Sequence, residues 1–185
     1  MMLDSFLGSI LLSVTGGGLA LLSVSGEKFV LSSSAFGEGN SIPTVYAYTG
    51  VQGGKNSSPP LKWTNPSAEP KSFALACIDR HPIASNWIHW IVIDIPKSAN
   101  SLAEGASRGN TMPAGSKELK NSFGTLGWGG PQPPKGSGTH NYEFIVYALS
   151  VEKLNLPVDA SLAAFNKAIE GKVMATARLV GTYER

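Results

Sequence analysis

Cysteine is nearly absent from the chain: Cys77 stands alone, which excludes an intrachain disulfide and a cysteine-held zinc cluster. It lies inside the apolar run Phe73-Ala-Leu-Ala-Cys-Ile78, where a buried structural thiol is expected rather than a nucleophile. Charge is scarce too, at 15% of residues with a net charge of +2, and the lysines and arginines are dispersed. Without a basic stripe the chain has no footprint for a nucleic-acid backbone, so any anion site must be local. No Gly-Lys-Ser/Thr follows the glycine-rich loops, and prolines stand where a dinucleotide-binding helix would begin, so both nucleotide-binding signatures are missing. The segment Gly105-Ala-Ser107-Arg-Gly109 fits a hydrolase nucleophile elbow, but no strong strand leads into it and Met112-Pro113 spoils the helix that should follow. It reads as a chance match in a loop.

What remains is a turn-rich globular composition: 185 residues, 42% hydrophobic, with 21 glycines and 12 prolines. Residues 5–25 carry no charge and include five leucines from Leu11 to Leu22, a length that could span a bilayer. No lysine or arginine precedes them, and Gly16-Gly17-Gly18 dilutes their middle. The chain therefore divides into an apolar extension, signal or anchor over residues 1–26 and one domain over 27–185. A cytoplasmic location is the expectation, with export or anchoring through residues 5–25 as the alternative. Asn56-Ser-Ser58 fits a glycosylation acceptor, which matters only in a eukaryotic secretory pathway.

Past Glu27 the sequence predicts strands at Phe29 to Leu31, Ser72 to Ile78, Ile88 to Ile95, Tyr142 to Ser150 and Val173 to Tyr183, separated by Gly- and Pro-rich loops. One helix is predicted, with Asp159 as its cap, Leu162, Phe165 and Ile169 on one face, and Gly171 at its end. Strand-dominated order with a late helix predicts a mainly β fold, a β-sandwich with peripheral short helices.

Chemistry concentrates in two segments. In the first, Asp79-Arg80-His81-Pro82 and Trp87-Ile88-His89-Trp90 place an acid and two histidines between consecutive strands. Strand alternation predicts that His89 shares a face with Ile91 and Ile93, where it needs a polar partner, and Asp79 is the natural one. The second segment runs from Gly127 through Gly129, Pro133, Pro134 and Gly138 to His140 and Tyr142. Its glycines let backbone approach an anion and its prolines stiffen the loop, while His140 and Tyr142, two apart, project from one strand face toward one oxyanion. Histidines of ordinary pKa would make such binding weaken from pH 6 to pH 8.

These segments resemble the phosphatidylethanolamine-binding proteins, in particular their bacterial and archaeal Raf-kinase-inhibitor-like branch. The resemblance rests on Ser58-Pro-Pro-Leu-Lys-Trp63, Asp79 with Trp87-Ile-His89-Trp90, Asn121-Ser-Phe-Gly124, Gly129-Gly-Pro-Gln-Pro-Pro134, His140-Asn-Tyr142 and the closing residues 171–185, in the family's order. It implies a pocket for phosphate or a phosphorylethanolamine-like anion lined by Asp79, His89, His140 and Tyr142, with Pro133 and Pro134 as a wall, Gly129 in the loop, and His81 and Trp87 as additional contacts. It also implies a non-catalytic regulator, with no cofactor, that meets a kinase, a protease or another signalling partner. Two departures stand out: His81 replaces the family's second acid, and Asn141 replaces the usual arginine after the loop histidine. Two other classes compete with the binding reading. One is a metal-dependent hydrolase using the aspartate and histidines. The other is a protein inhibitor acting through a surface around Trp63 or Trp128.

Overall fold

A computed structural model describes residues 28–185, so the apolar run at residues 5–25 lies outside the described residues. Among the described residues, eight strands form two antiparallel sheets. The larger has the order β6(Lys117–Glu118), β4(Trp87–Pro96), β3(Ser72–Asp79), β7(His140–Leu149), β8(Val173–Tyr183), and the smaller the order β1(Leu31–Ser32), β2(Leu61–Trp63), β5(Ser101–Leu102). The long strands sit where the sequence predicts them, and β7 begins two residues earlier than expected, so that His140 belongs to the ladder.

The central strand β3 is buried at every position, as expected of a run covered on both faces. One face packs against the smaller sheet: Phe73, Leu75, Cys77, Phe144 and Val146 meet Leu31, Leu61, Trp63 and Leu102 in one apolar cluster. The other face, with Ala74, Ala76, Ile78, Ile91 and Ile93, packs against α1(Leu162–Ile169) through Phe165 and Ile169. The fold is the expected sandwich, with one α-helix and two short 3-10 turns among the described residues at its periphery.

Ser161, not Asp159, caps the helix, its Oγ accepting from the Ala164 amide at 3.2 Å. The turn closed by Ala160 N–H to the Pro157 carbonyl consumes the residues before it, so the helix starts after Ser161. Gly171, at φ 70°, ends the element in the left-handed conformation that a side chain disfavours. Cys77 is fully buried, and burial pushes its thiol well above the usual range, in keeping with a structural role. The Gly105–Gly109 segment is a set of turns in which Ser107 Oγ donates to Glu118 and accepts from the Trp128 amide.

The register places the chemistry. Asp79 ends β3 and pairs with Trp87 at the start of β4 and with Tyr142 near the start of β7, so three strands deliver their polar residues to one end of the sheet. A β-bulge then decides where His89 points. Cys77 pairs with Trp90 and the next residue, Ile78, with Ile88, which leaves His89 as a surplus residue in β4. The alternation resets there. His89 leaves the Ile91 and Ile93 face on which regular alternation puts it and joins Trp90 on the inter-sheet side, packed against Tyr142 and Trp128.

Candidate functional site

A pocket of about 290 Å³ opens at this end of the sheet. Asp79, His89, His140 and Tyr142 form its polar floor, Trp87 and Phe123 one side, and Pro133 with Pro134 another. Of the residues singled out from the sequence, Gly129 and His81 do not line it. Four others do that sequence reasoning missed as site residues: Ile83, Ala84, Phe123 and Gln132. Phe123 and Gln132 lie inside the recognised segments, whereas nothing in the sequence distinguished Ile83 and Ala84, which follow Pro82 in a short 3-10 turn.

The hydrogen bonds differ from those expected. Asp79 does not serve His89; its Oδ2 takes Nδ1 of His140 at 2.6 Å and its Oδ1 accepts the His81 amide at 2.8 Å. The β3–β7 pairing brings the aspartate beside the start of β7, and its chain neighbour His81 supplies the second donor. His89 instead donates from Nδ1 to the Gly129 carbonyl at 2.5 Å, and the Gly129 amide returns a bond to the His89 carbonyl at 2.8 Å. That reciprocal pair fixes the tautomer and leaves Nε2 of His89 toward the pocket. Glycine at 129 also makes room for the Phe123 ring: a Cβ there would stand 2.6 Å from Phe123 Cδ2.

Electrostatics follows from burial. Desolvation dominates over the Gly129 carbonyl and the Asp79 charge and lowers the His89 pKa from 6.5 to about 4. The ring is therefore neutral from pH 6 to pH 8, contrary to the histidine titration expected from sequence. Burial, assisted by Asp79, raises the Tyr142 phenol far above its ordinary value, so its hydroxyl remains a donor. That hydroxyl is buried and has no partner among the described residues.

His140 does not offer the second donor expected beside Tyr142, because its Nε2 meets Ser137 Oγ at 2.9 Å. Asp79, His140 and Ser137 thus form a relay with the connectivity of a hydrolase triad. Ser137 does not line the pocket, however, and its hydroxyl donates to the Pro134 carbonyl at 2.7 Å. The relay ties the proline wall to the sheet. His81 stacks on His140 with ring centroids 3.9 Å apart, and its Nδ1 is buried without a partner, so the replacement for the family's second acid acts through the His140 ring. No arginine fills the gap left at Asn141: the neighbouring Arg80 turns to Glu143 at 2.6 Å and to Asn86 at 2.7 Å.

Two competing assignments lose their footing. Trp63 and Trp128 are 1% and 0% exposed, so neither offers a docking surface; each is core, and Trp128 bonds the Tyr46 carbonyl through Nε1. Among the described residues no group of three or more His, Cys, Asp or Glu side chains is arranged to hold a metal ion. Asp79 and His140 spend their atoms on one another, and His89 spends Nδ1 on the backbone. Behind the loop, Asn56, read from sequence as part of a glycosylation acceptor, receives the Gly130 amide on Oδ1 at 2.7 Å.

The family model for phosphatidylethanolamine-binding proteins matches residues 32–184. The chain belongs to the phosphatidylethanolamine-binding protein family. Among its relatives, a UPF0098 protein of Aquifex aeolicus is 38% identical over 165 residues, covering 89% of this chain and 94% of that protein. The crystal structure of Escherichia coli YbcL, described as a new member of the mammalian family, superposes with a TM-score of 0.79 at 34% identity, covering 85% of this chain and 98% of YbcL. The homologue CT736 of Chlamydia trachomatis gives 0.71 at 33% identity, covering 85% and 97% of the two chains. Membership of this family and its bacterial and archaeal branch supports a binding role in general terms.

Proposed function

We propose that the chain binds a phosphate-like anion of the phosphorylethanolamine class in the pocket between β3, β4 and β7, without transforming it. The observation that carries this reading is the Tyr142 hydroxyl, a buried donor with no partner among the described residues, in the same pocket as the open Nε2 of His89. An unpaired buried hydroxyl costs about 1–3 kcal/mol, a cost that a ligand oxygen would remove. The rigid proline wall lowers the ordering entropy of binding. Exposed Ile83 and Trp87, 59% and 39% accessible at the rim, suit an apolar neighbour such as the rest of a ligand or a regulated kinase or protease.

The test is calorimetric titration with inorganic phosphate and phosphorylethanolamine, repeated on Tyr142→Phe. Saturable binding weakened at least tenfold in the variant supports the reading; no binding by the unaltered protein refutes it. A second reading, acyl hydrolysis, is favoured by one observation, the Ser137–His140–Asp79 relay. Labelling of Ser137 by a fluorophosphonate would establish it, and the expected outcome is none, since the hydroxyl is committed to Pro134.

Export or anchoring of the protein would rest on residues 5–25. A relative of 36% identity over 158 residues, LppC of Mycobacterium tuberculosis, carries a lipoprotein name, which supports export over the cytoplasmic expectation. No helix among the described residues is long and apolar enough to cross a membrane. Cell fractionation of the full chain decides between the two.

A further inference from the structure

The pocket assigned to a phosphate-like ligand contains no lysine or arginine, although these are the usual partners of a fully ionised phosphate. The one carboxylate facing it, Asp79, repels a dianion. The buried donor the pocket leaves free is the Tyr142 hydroxyl.

His89 presents the opposite polarity. With Nδ1–H given to the Gly129 carbonyl, and Gly129 held in turn by its own amide bond to His89, the neutral ring turns a lone pair toward the pocket at Nε2. A lone pair repels a bare phosphate oxygen and accepts from a P–OH. We propose that the pocket takes a phosphate monoester as its monoanion, the remaining proton shared between a ligand oxygen and Nε2 of His89, so that monoesters are bound in preference to diesters. This inference rests on the anion-binding reading of the same site and specifies its ligand class.

The other polar groups around the site are already engaged with protein partners. From β3, Asp79 faces the site with both oxygens already accepting, from His140 and from the His81 amide. From β7, His140 has both ring nitrogens engaged, and Tyr142 keeps its proton. His81 stacks on His140, and Arg80 is tied to Glu143. Burial keeps His89 itself unprotonated at neutral pH.

Below the second ionisation of the ligand, at about pH 6 for a phosphomonoester, the ligand brings the proton; above it, one proton is taken from solvent for each ligand bound. A phosphodiester has no P–OH, so its binding requires His89 to be protonated against its burial.

The experiment is calorimetric titration of the full chain with phosphorylethanolamine, a monoester, and with glycerophosphorylethanolamine, the diester of a lipid headgroup, in buffers of differing ionisation heat. The expected result is uptake approaching one proton per monoester at about pH 8 and near none at about pH 5, with the diester at least tenfold weaker at about pH 6. Monoester binding without proton uptake at the higher pH, or equal affinity for the diester, overturns the inference and leaves anion binding standing. Failure of both ligands to bind at every pH overturns anion binding itself. In His89→Gln, whose amide can donate, the preference for the monoester should disappear; the measurements on the unaltered protein decide the question if that variant does not fold.

Discussion

Asp79 and His140, 61 residues apart in the chain, meet at 2.6 Å with both side chains buried, at the point where β3 and β7 lie side by side. Removing either partner strands the other polar group in the interior, which typically costs about 3–5 kcal/mol for a buried ionic pair. Asp79→Ala is expected to lose stability on that scale in urea denaturation. An effect below about 1 kcal/mol would mean that water replaces the carboxylate at no cost.

Tyr142→Phe separates function from folding. Because the hydroxyl has no partner among the described residues, its removal should leave stability unchanged or raise it by up to about 1 kcal/mol while weakening phosphate binding. Leu179→Ala should do the reverse, destabilising by about 2–5 kcal/mol with the pocket's affinity unchanged, since Leu179 packs in the inter-sheet core. Thermal melts and titrations on the two variants check both halves.

His89 makes stability depend on pH. Its folded pKa of about 4 lies below the ordinary 6.5, so the unfolded chain binds the extra proton between those values. The stabilising contribution is complete above pH 6.5 and is lost as the pH falls toward 4, by roughly 3 kcal/mol in all. Denaturation midpoints across this range should fall less steeply in His89→Gln than in the unaltered protein.

Gly130→Ala is expected to abolish soluble folding. Its Cβ would stand 2.1 Å from the Tyr46 carbonyl oxygen, a backbone atom with no room to yield. Gly136→Ala, where a Cβ meets nothing within 4 Å but φ is +75°, should cost only about 1 kcal/mol. Circular dichroism on the pair distinguishes steric closure from backbone strain.

The long strands were legible because β3, β4, β7 and β8 are apolar runs of strand length between loops rich in turn residues. The pocket's membership was legible to the extent that its polar residues cluster at strand ends: Asp79, Trp87, His89, His140 and Tyr142 come together. The bonding pattern was not. Which acid serves which histidine depends on the β3–β7 register, a long-range property that no local pattern carries. Trp63 and Trp128 show the same limit from the other side, since nothing local tells a buried tryptophan from an exposed one. Ile83 and Ala84 acquire their place only because the turn after Asp79 folds over the strand ends.

The bulge in β4 makes the pocket a matter of counting. Deleting one residue between Ile88 and Trp90 would restore regular pairing across Cys77 and Ile78 and leave the inter-sheet packing of Trp90 and Val92 intact. The imidazole would vanish from the floor with no penalty in strand pairing. Transplanting the pocket onto another sandwich therefore means transferring a surplus residue together with the Gly129 carbonyl that anchors it. A copy of the side chains on a regular strand would aim the histidine at the wrong layer of the protein.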